Sequence, residues 1–222
     1  MKLFLNSFVF LFFVCGPLYG ESINKSYIVK FGGIKIGELN WQIKIDGDEY
    51  LNKLSLKSKG LLSAIYSFKG EYLSEGFVDK NNLIPKKYKH FWQTKKTDKN
   101  MELTFNESKL ISLKQNPVED EKIRLNVFDV QSTNDPLTSF QKIMMGEKSA
   151  LVVDGRRLYT MIAGSSENKN QTVVEISNYS NLWADHKRNK FEKIIFEKGL
   201  EEILPYKMFI YFDGKIFKLE QN

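Results

Sequence analysis

The chain has 222 residues, 42% of them hydrophobic and 14% aromatic, enough to build one sizeable core without covalent staples. Its 33 Lys and Arg against 27 Asp and Glu leave a formal charge of +6, spread along the sequence with one denser stretch from Lys86 to Lys99. That distribution reads as a solvated strand face, and with no recognition motif present it speaks against nucleic acid as a partner.

Met1-Lys2 gives a positive start, Leu3 to Val14 is an apolar run, and Pro17-Leu18-Tyr19-Gly20 puts a helix breaker and a small residue before Glu21. This is the order of a secretory signal peptide, predicted over residues 1–20 with cleavage after Gly20 and a periplasmic destination. The apolar run falls short of the roughly 20 residues that span a bilayer, so no transmembrane span is expected in the mature chain. The one cysteine, Cys15, lies inside this segment, which leaves residues 21–222 free of disulfides and Cys metal sites. Lipidation of Cys15 is the rival reading, disfavoured by Val14 where a small residue belongs.

From residue 26 onward almost every segment alternates with period two, the mark of strands with one buried face. Tyr27, Val29 and Phe31 share a face before Gly32-Gly33 interrupts. Leu39, Trp41, Ile43 and Ile45 then point one way, and Asn40, Gln42, Lys44 and Asp46 the other. Asp46-Gly47-Asp48 predicts a tight turn, with Tyr50, Leu54 and Leu56 on the next strand. Further strands are predicted at 68–78, 86–96, 100–106, 109–114, 149–153, 156–163, 171–179, 190–197, 205–212 and 215–220. Asp154-Gly155 and Asp213-Gly214 sit between apolar strands as hairpin turns. The expected fold is mainly β, an antiparallel curved sheet or barrel-like meander in a single domain over 21–222. Trp41, Ile43, Leu54, Leu56, Tyr72 and Ile210 should face its common interior.

Two short segments break the rhythm. Leu61 with Ile65 and Leu62 with Tyr66 are spaced one helical turn apart. Asp135 as N-cap, Pro136 at the first helical position and Gly146 as stop predict a second helix, with Leu137, Phe140 and Met144 in an apolar stripe. Between the two sets of strands, 115–134 reads as a long loop.

These landmarks resemble a family of exported bacterial proteins known as domain of unknown function 3108. The resemblance rests on Tyr27-x-Val29-x-Phe31-Gly32-Gly33-Ile34-x-Ile36-Gly37-Glu38, on Gly60-Leu61 with Tyr66, on Ser74-Glu75-Gly76, and on Pro85 before Tyr88. Asp135-Pro136-Leu137-Thr138-Ser139, Asp154-Gly155-Arg156-Arg157-x-Tyr159 and Leu204-Pro205 complete it. It implies a mostly antiparallel β protein of the cell envelope, and it brings no catalytic residues with it.

The residues themselves offer little chemistry. His90 alternates with Tyr88 and Trp92 as a strand histidine beside aromatics, and His186 follows Asp185 in a charged bend; neither has metal spacing. Asp46-Gly47-Asp48-Glu49 lacks the further ligands of a calcium loop. No nucleophile–base pair, P-loop or dinucleotide fingerprint is found, so no enzyme, cofactor or metal is expected. Arg156 and Arg157, with Tyr159 two residues on, could grip a phosphate or carboxylate after the tight turn. Leu137, Phe140 and Met144 could close over an apolar groove, the two helices acting as a lid. Two functions follow as expectations. One is a non-catalytic envelope protein that binds a lipid, a lipoprotein acyl chain or a polysaccharide; the other is a structural or assembly factor for an envelope protein partner.

Overall fold

The structure, a computed structural model, describes residues 21–60, 63, 67–166, 170–183 and 190–222. The segment read as a signal peptide, the helical spacing at 61–66 and His186 lie outside the described residues. The first seven strands are β1 (Glu21–Phe31), β2 (Ile34–Asp46), β3 (Glu49–Ser58), β4 (Phe68–Asp79), β5 (Asn82–Thr94), β6 (Asp98–Asn106) and β7 (Lys109–Asn116). A two-residue β8 (Thr133–Asn134) leads into helix α1 (Pro136–Met144). Then come β9 (Ser149–Val153), β10 (Arg157–Ser165), β11 (Gln171–Asn181), β12 (Phe191–Glu197), β13 (Lys207–Phe212) and β14 (Lys215–Gln221).

All fourteen strands join one sheet. From β7 the order runs back through β6, β5, β4, β3 and β2 to β1; β14 pairs with β1, and β13, β12, β11, β10, β9 and β8 follow. Every pairing is antiparallel except β8 with β9. The first and last strands zip together with Val29 opposite Leu219, while the two edge strands approach each other where Thr133 N donates to Ser108 O at 2.7 Å. The result is a nearly closed barrel.

Alternation sets the register. Trp41 and Ile43 are core residues, and Leu54, Leu56, Tyr72 and Ile210 pack against the core, so the predicted inward set shares one interior. β5 begins at Asn82, four residues earlier than the sequence pattern predicts. Pro85 does not stop it, because it faces Gly76 at a register shift where a missing N–H is tolerated. The stretch 115–134 is less irregular than expected: β7 continues to Asn116, and Val127–Asp129 forms a short 3-10 turn with Val127 buried.

A sheet of this breadth encloses more space than its own side chains fill. Helix α1 supplies the filling. Its residues from Leu137 to Met144 are all buried, polar ones included, so it stands inside the barrel. Phe140, Ile143 and Met144 join one core cluster with Tyr27, Trp41 and Phe196, and Leu137 joins the other with Tyr88, Leu103 and Trp183. For this helix the expected lid is therefore corrected to an internal plug, while the other predicted lid helix, at 61–66, lies outside the described residues.

Candidate ligand-binding site

The plug is held by polar contacts as well as apolar ones. Asp135 caps α1 through Oδ1, which accepts from the backbone N–H groups of Leu137 and Thr138, both at 3.0 Å. Its Oδ2 meets the hydroxyls of Thr138 (2.6 Å) and Ser74 (2.8 Å). The Thr138 hydroxyl also contacts Ser74 Oγ at 2.7 Å and the Tyr50 hydroxyl at 2.6 Å. One turn on, Gln141 Oε1 accepts from Asn52 Nδ2 (2.8 Å), whose Oδ1 accepts from Trp41 Nε1 (2.7 Å). Burial raises the Asp135 carboxyl above the usual carboxylate range, against the pull of its donors. At the other end of α1, Lys198 Nζ donates to Met144 O at 2.8 Å, a cation placed on the negative helix terminus.

These contacts confine α1 to the half of the barrel bounded by the turns at 47–48 and 80–81. The opposite half opens at a mouth formed by the turns at 32–33, 95–97 and 213–214. Here side chains of seven strands surround an apolar cup of about 590 Å³, lined by Leu39, Leu56, Phe68, Trp92, Ile210 and Phe217 among others. Phe68 stacks on Trp92 (5.1 Å between centroids), and Phe31 packs on Phe217 (5.4 Å). The size falls within the roughly 300–1,000 Å³ of small-molecule sites. At the mouth Phe31, Ile34, Phe212 and Ile216 remain exposed on two neighbouring hairpins, Ile34 to 62%.

A second chamber of about 390 Å³ adjoins the cup and shares Tyr72, Trp92 and Phe212 with it. Its lining is more polar: His90, Lys99, Asn100, Gln115 and Arg156 contribute. His90 stacks on Tyr72 at 4.4 Å, and burial pushes it down to about 4, so its ring is neutral at neutral pH. The same burial raises the Tyr72 phenol to about 12. His90 Nε2 and Gln115 Oε1 are buried with no hydrogen-bond partner. Arg156 lies 3.4 Å from Glu119.

The six residues that sequence reasoning offered for ligand binding are thus dispersed. Leu137, Phe140 and Met144 are core residues of the plug, Phe140 stacked on Trp41 (5.9 Å) and edge-on to Phe196 (5.5 Å). Tyr159 is buried against Tyr179 and Phe191. Arg157 ion-pairs with Asp154 at 2.9 Å and braces its own hairpin. Arg156 alone of the six is among the residues lining the two cavities. Alternation had already placed Leu56, Tyr72 and Ile210 inside, but nothing local in the sequence says which end of a barrel stays open. Among the described residues, no group of three or more His, Cys, Asp or Glu side chains could hold a metal ion. No helix of the described residues is long and apolar enough to cross a membrane.

The family described as "Protein of unknown function (DUF3108)" matches residues 26–139, from β1 into α1. The chain belongs to this family. The DUF3108 match thus takes in Ser74, Asp135 and Thr138, and with them the contacts that seat the plug. Among solved structures, the chain is similar to a beta-barrel-like protein of domain of unknown function DUF1849 from Brucella abortus. That similarity has 9% identity and a TM-score of 0.49, covering 90% of this chain and 95% of the other. No curated protein matches the chain.

Proposed function

We propose that this DUF3108 protein is a non-catalytic binding protein of the periplasm or cell envelope, exported through a cleaved N-terminal signal peptide, and that it holds the acyl chain of an amphiphile in its cup. The observation that carries the reading is the cup itself, an open apolar cavity of about 590 Å³ in a barrel whose other half is plugged. Apolar surface left in contact with water costs about 25 cal/mol per Å², a cost that an acyl chain relieves. A polysaccharide fits less well, because its hydroxyls would find few partners among Leu39, Leu56, Phe68 and Ile210.

Titration with a fluorescent fatty acyl probe tests this. Saturable binding of one probe per folded chain is expected, and a bulky Leu56→Trp substitution in the cup wall should abolish it while leaving the fold intact. Absence of saturable binding by folded wild-type protein would overturn the proposal. The four exposed apolar residues at the mouth favour a second reading, an assembly factor that docks another envelope protein. That reading predicts capture of a specific envelope protein that Ile34→Ser weakens and Leu56→Trp does not.

A further inference from the structure

We propose that the mouth of the cup docks on an anionic phospholipid bilayer, so that the cup opens directly onto the lipid surface. The inference goes beyond the acyl-chain reading and does not need it, because it rests on the rim alone. Three observations support it. The first is where the exposed apolar residues sit. Phe31 and Ile34 lie on the β1–β2 hairpin and Phe212 and Ile216 on the β13–β14 hairpin, and the pairing of β1 with β14 sets the two side by side. Phe31 and Phe212 also line the cup, so apolar surface continues from the cavity wall to the rim.

The second observation is charge. Around the two hairpins each carboxylate serves two lysines: Glu220 pairs with Lys30 (2.8 Å) and Lys218 (2.6 Å), and Glu38 with Lys35 (2.8 Å) and Lys59 (3.8 Å). Asp213 likewise pairs with Lys190 (2.8 Å) and Lys215 (3.5 Å). Pairing therefore leaves the rim positive, and exposed pairs are weak enough for the lysines to turn toward lipid phosphates. The third observation is the contrast between the two ends. The mouth turns at 30–35, 57–60, 95–99 and 213–215 carry eight lysines against Asp98 and Asp213. The turns of the plugged end, at 46–49, 79–81, 107–109, 146–148 and 198–202, carry eight carboxylates against four lysines. Met145 and Leu200 are exposed there too, but beside Glu147, Glu201 and Glu202. The acidic run Glu119–Glu121 follows β7, at the far end of the strand order from β1 and β14. Apolar tips bracketed by lysines, as in Lys30-Phe31-Gly32-Gly33-Ile34-Lys35, suit a bilayer interface. The apolar side chains enter the acyl boundary while the ammonium groups stay among the head groups. A protein partner matches less well, because protein interfaces are depleted in lysine.

The test is flotation with vesicles of phosphatidylcholine alone and of phosphatidylcholine mixed with phosphatidylglycerol. The chain from Glu21 onward is used, since the apolar run from Leu3 to Val14 would enter a bilayer by itself and every described residue lies after it. Binding to the mixed vesicles is expected, released by salt, and about tenfold or more weaker on phosphatidylcholine alone. Ile34→Ser together with Ile216→Ser should weaken it, and Lys35→Gln and Lys215→Gln should each cost about fivefold on the mixed vesicles. All four positions are exposed, so folding is not at risk. Lys80→Gln and Leu200→Ser at the plugged end should change nothing. Ile34→Trp should give blue-shifted emission on the mixed vesicles, and Leu200→Trp none. Absence of flotation by folded wild-type protein would overturn the proposal, as would binding that the Ile34 and Lys35 substitutions leave intact, or binding as tight on phosphatidylcholine alone. Capture of an envelope protein that Ile34→Ser weakens, without vesicle binding, would overturn it in favour of a protein partner. Leu56→Trp should keep vesicle binding while losing the acyl probe, which tells failure of the rim from failure of the cup.

Discussion

The contacts around Asp135 make a prediction that turns on counting hydrogens. Four short oxygen–oxygen contacts link Asp135 Oδ2, Ser74, Thr138 and Tyr50. The three hydroxyls supply three hydrogens, and an ionised carboxylate supplies none. A protonated Asp135 supplies the fourth: it donates to Ser74, Ser74 and Tyr50 donate to Thr138, and Thr138 returns a bond to the carboxyl. The raised pKa of this fully buried group has the same sign. Asp135→Ala removes the helix cap, about 0.5–2 kcal/mol, and strands buried hydroxyls at about 1–3 kcal/mol, for a total of about 1.5–5 kcal/mol. Asp135→Asn keeps an acceptor for the Leu137 and Thr138 N–H groups and offers donors to the hydroxyls. It has one hydrogen too many, a cost of about 1 kcal/mol. Urea denaturation of the three proteins across a pH series measures this. A carboxyl whose folded pKa is raised contributes stability at low pH that is lost as pH rises through that pKa, so wild type should lose ground to Asp135→Asn between about pH 4 and about pH 7. His90 works in the opposite direction over this window, since its depressed pKa makes stability rise with pH, and taking the difference between two proteins that both carry it removes it. If wild type instead gains on Asp135→Asn with rising pH, or if Asn costs as much as Ala, the carboxylate is ionised and the count is wrong.

Two further substitutions probe the barrel. Phe140→Ala should cost about 3–5 kcal/mol, the range for a buried aromatic, because Phe140 is wedged between Trp41 and Phe196; a loss below about 1 kcal/mol, measured by denaturation, would restore the helix to a surface lid. Ile43→Asp, which sets a charge in the core, should unfold or aggregate the protein, whereas Lys44→Asp on the outer face should cost about 0.5 kcal/mol or less. Equal damage from the two in thermal melts would mean that the register of β2 is misassigned.

The strands were legible because alternation is a local signal that burial enforces: a slip of one residue would turn Trp41 and Ile43 outward. The cap of α1 was legible for the same kind of reason, since Asp135 and Pro136 act within one turn. Its location was not. Thr138, Ser139 and Gln141 look like a solvent-facing side, and only contacts with Ser74, Tyr50 and Asn52, more than sixty residues away in the chain, turn that side into an interface. Arg156 and Arg157 read as a pair, yet one braces its hairpin on Asp154 while the other lines the chamber. Trp92, Lys99 and Gln115 carry no motif, because a cavity at the end of a barrel is made by residues that share nothing but their height along different strands.

Helix length is what leaves that cavity open. Nine helical residues at about 1.5 Å each extend about 13 Å. Strands such as β1, β2, β4 and β5, with 11, 13, 12 and 13 residues, extend about 40 Å along their own direction, or about 30 Å of barrel height once tilted by about 40°. The plug therefore fills somewhat less than half of the interior. Asp135 fixes where it starts, hydrogen-bonded to Ser74 in the middle of β4, and Lys198 fixes where it ends. Because α1 runs from mid-barrel away from the mouth, the unfilled height gathers at one end as a single apolar cup instead of being divided between two shallow ones. The polar residues that anchor the helix and the apolar residues that line the cup thus serve one arrangement. The first set could not be replaced by a longer apolar helix without filling the space that the second set encloses.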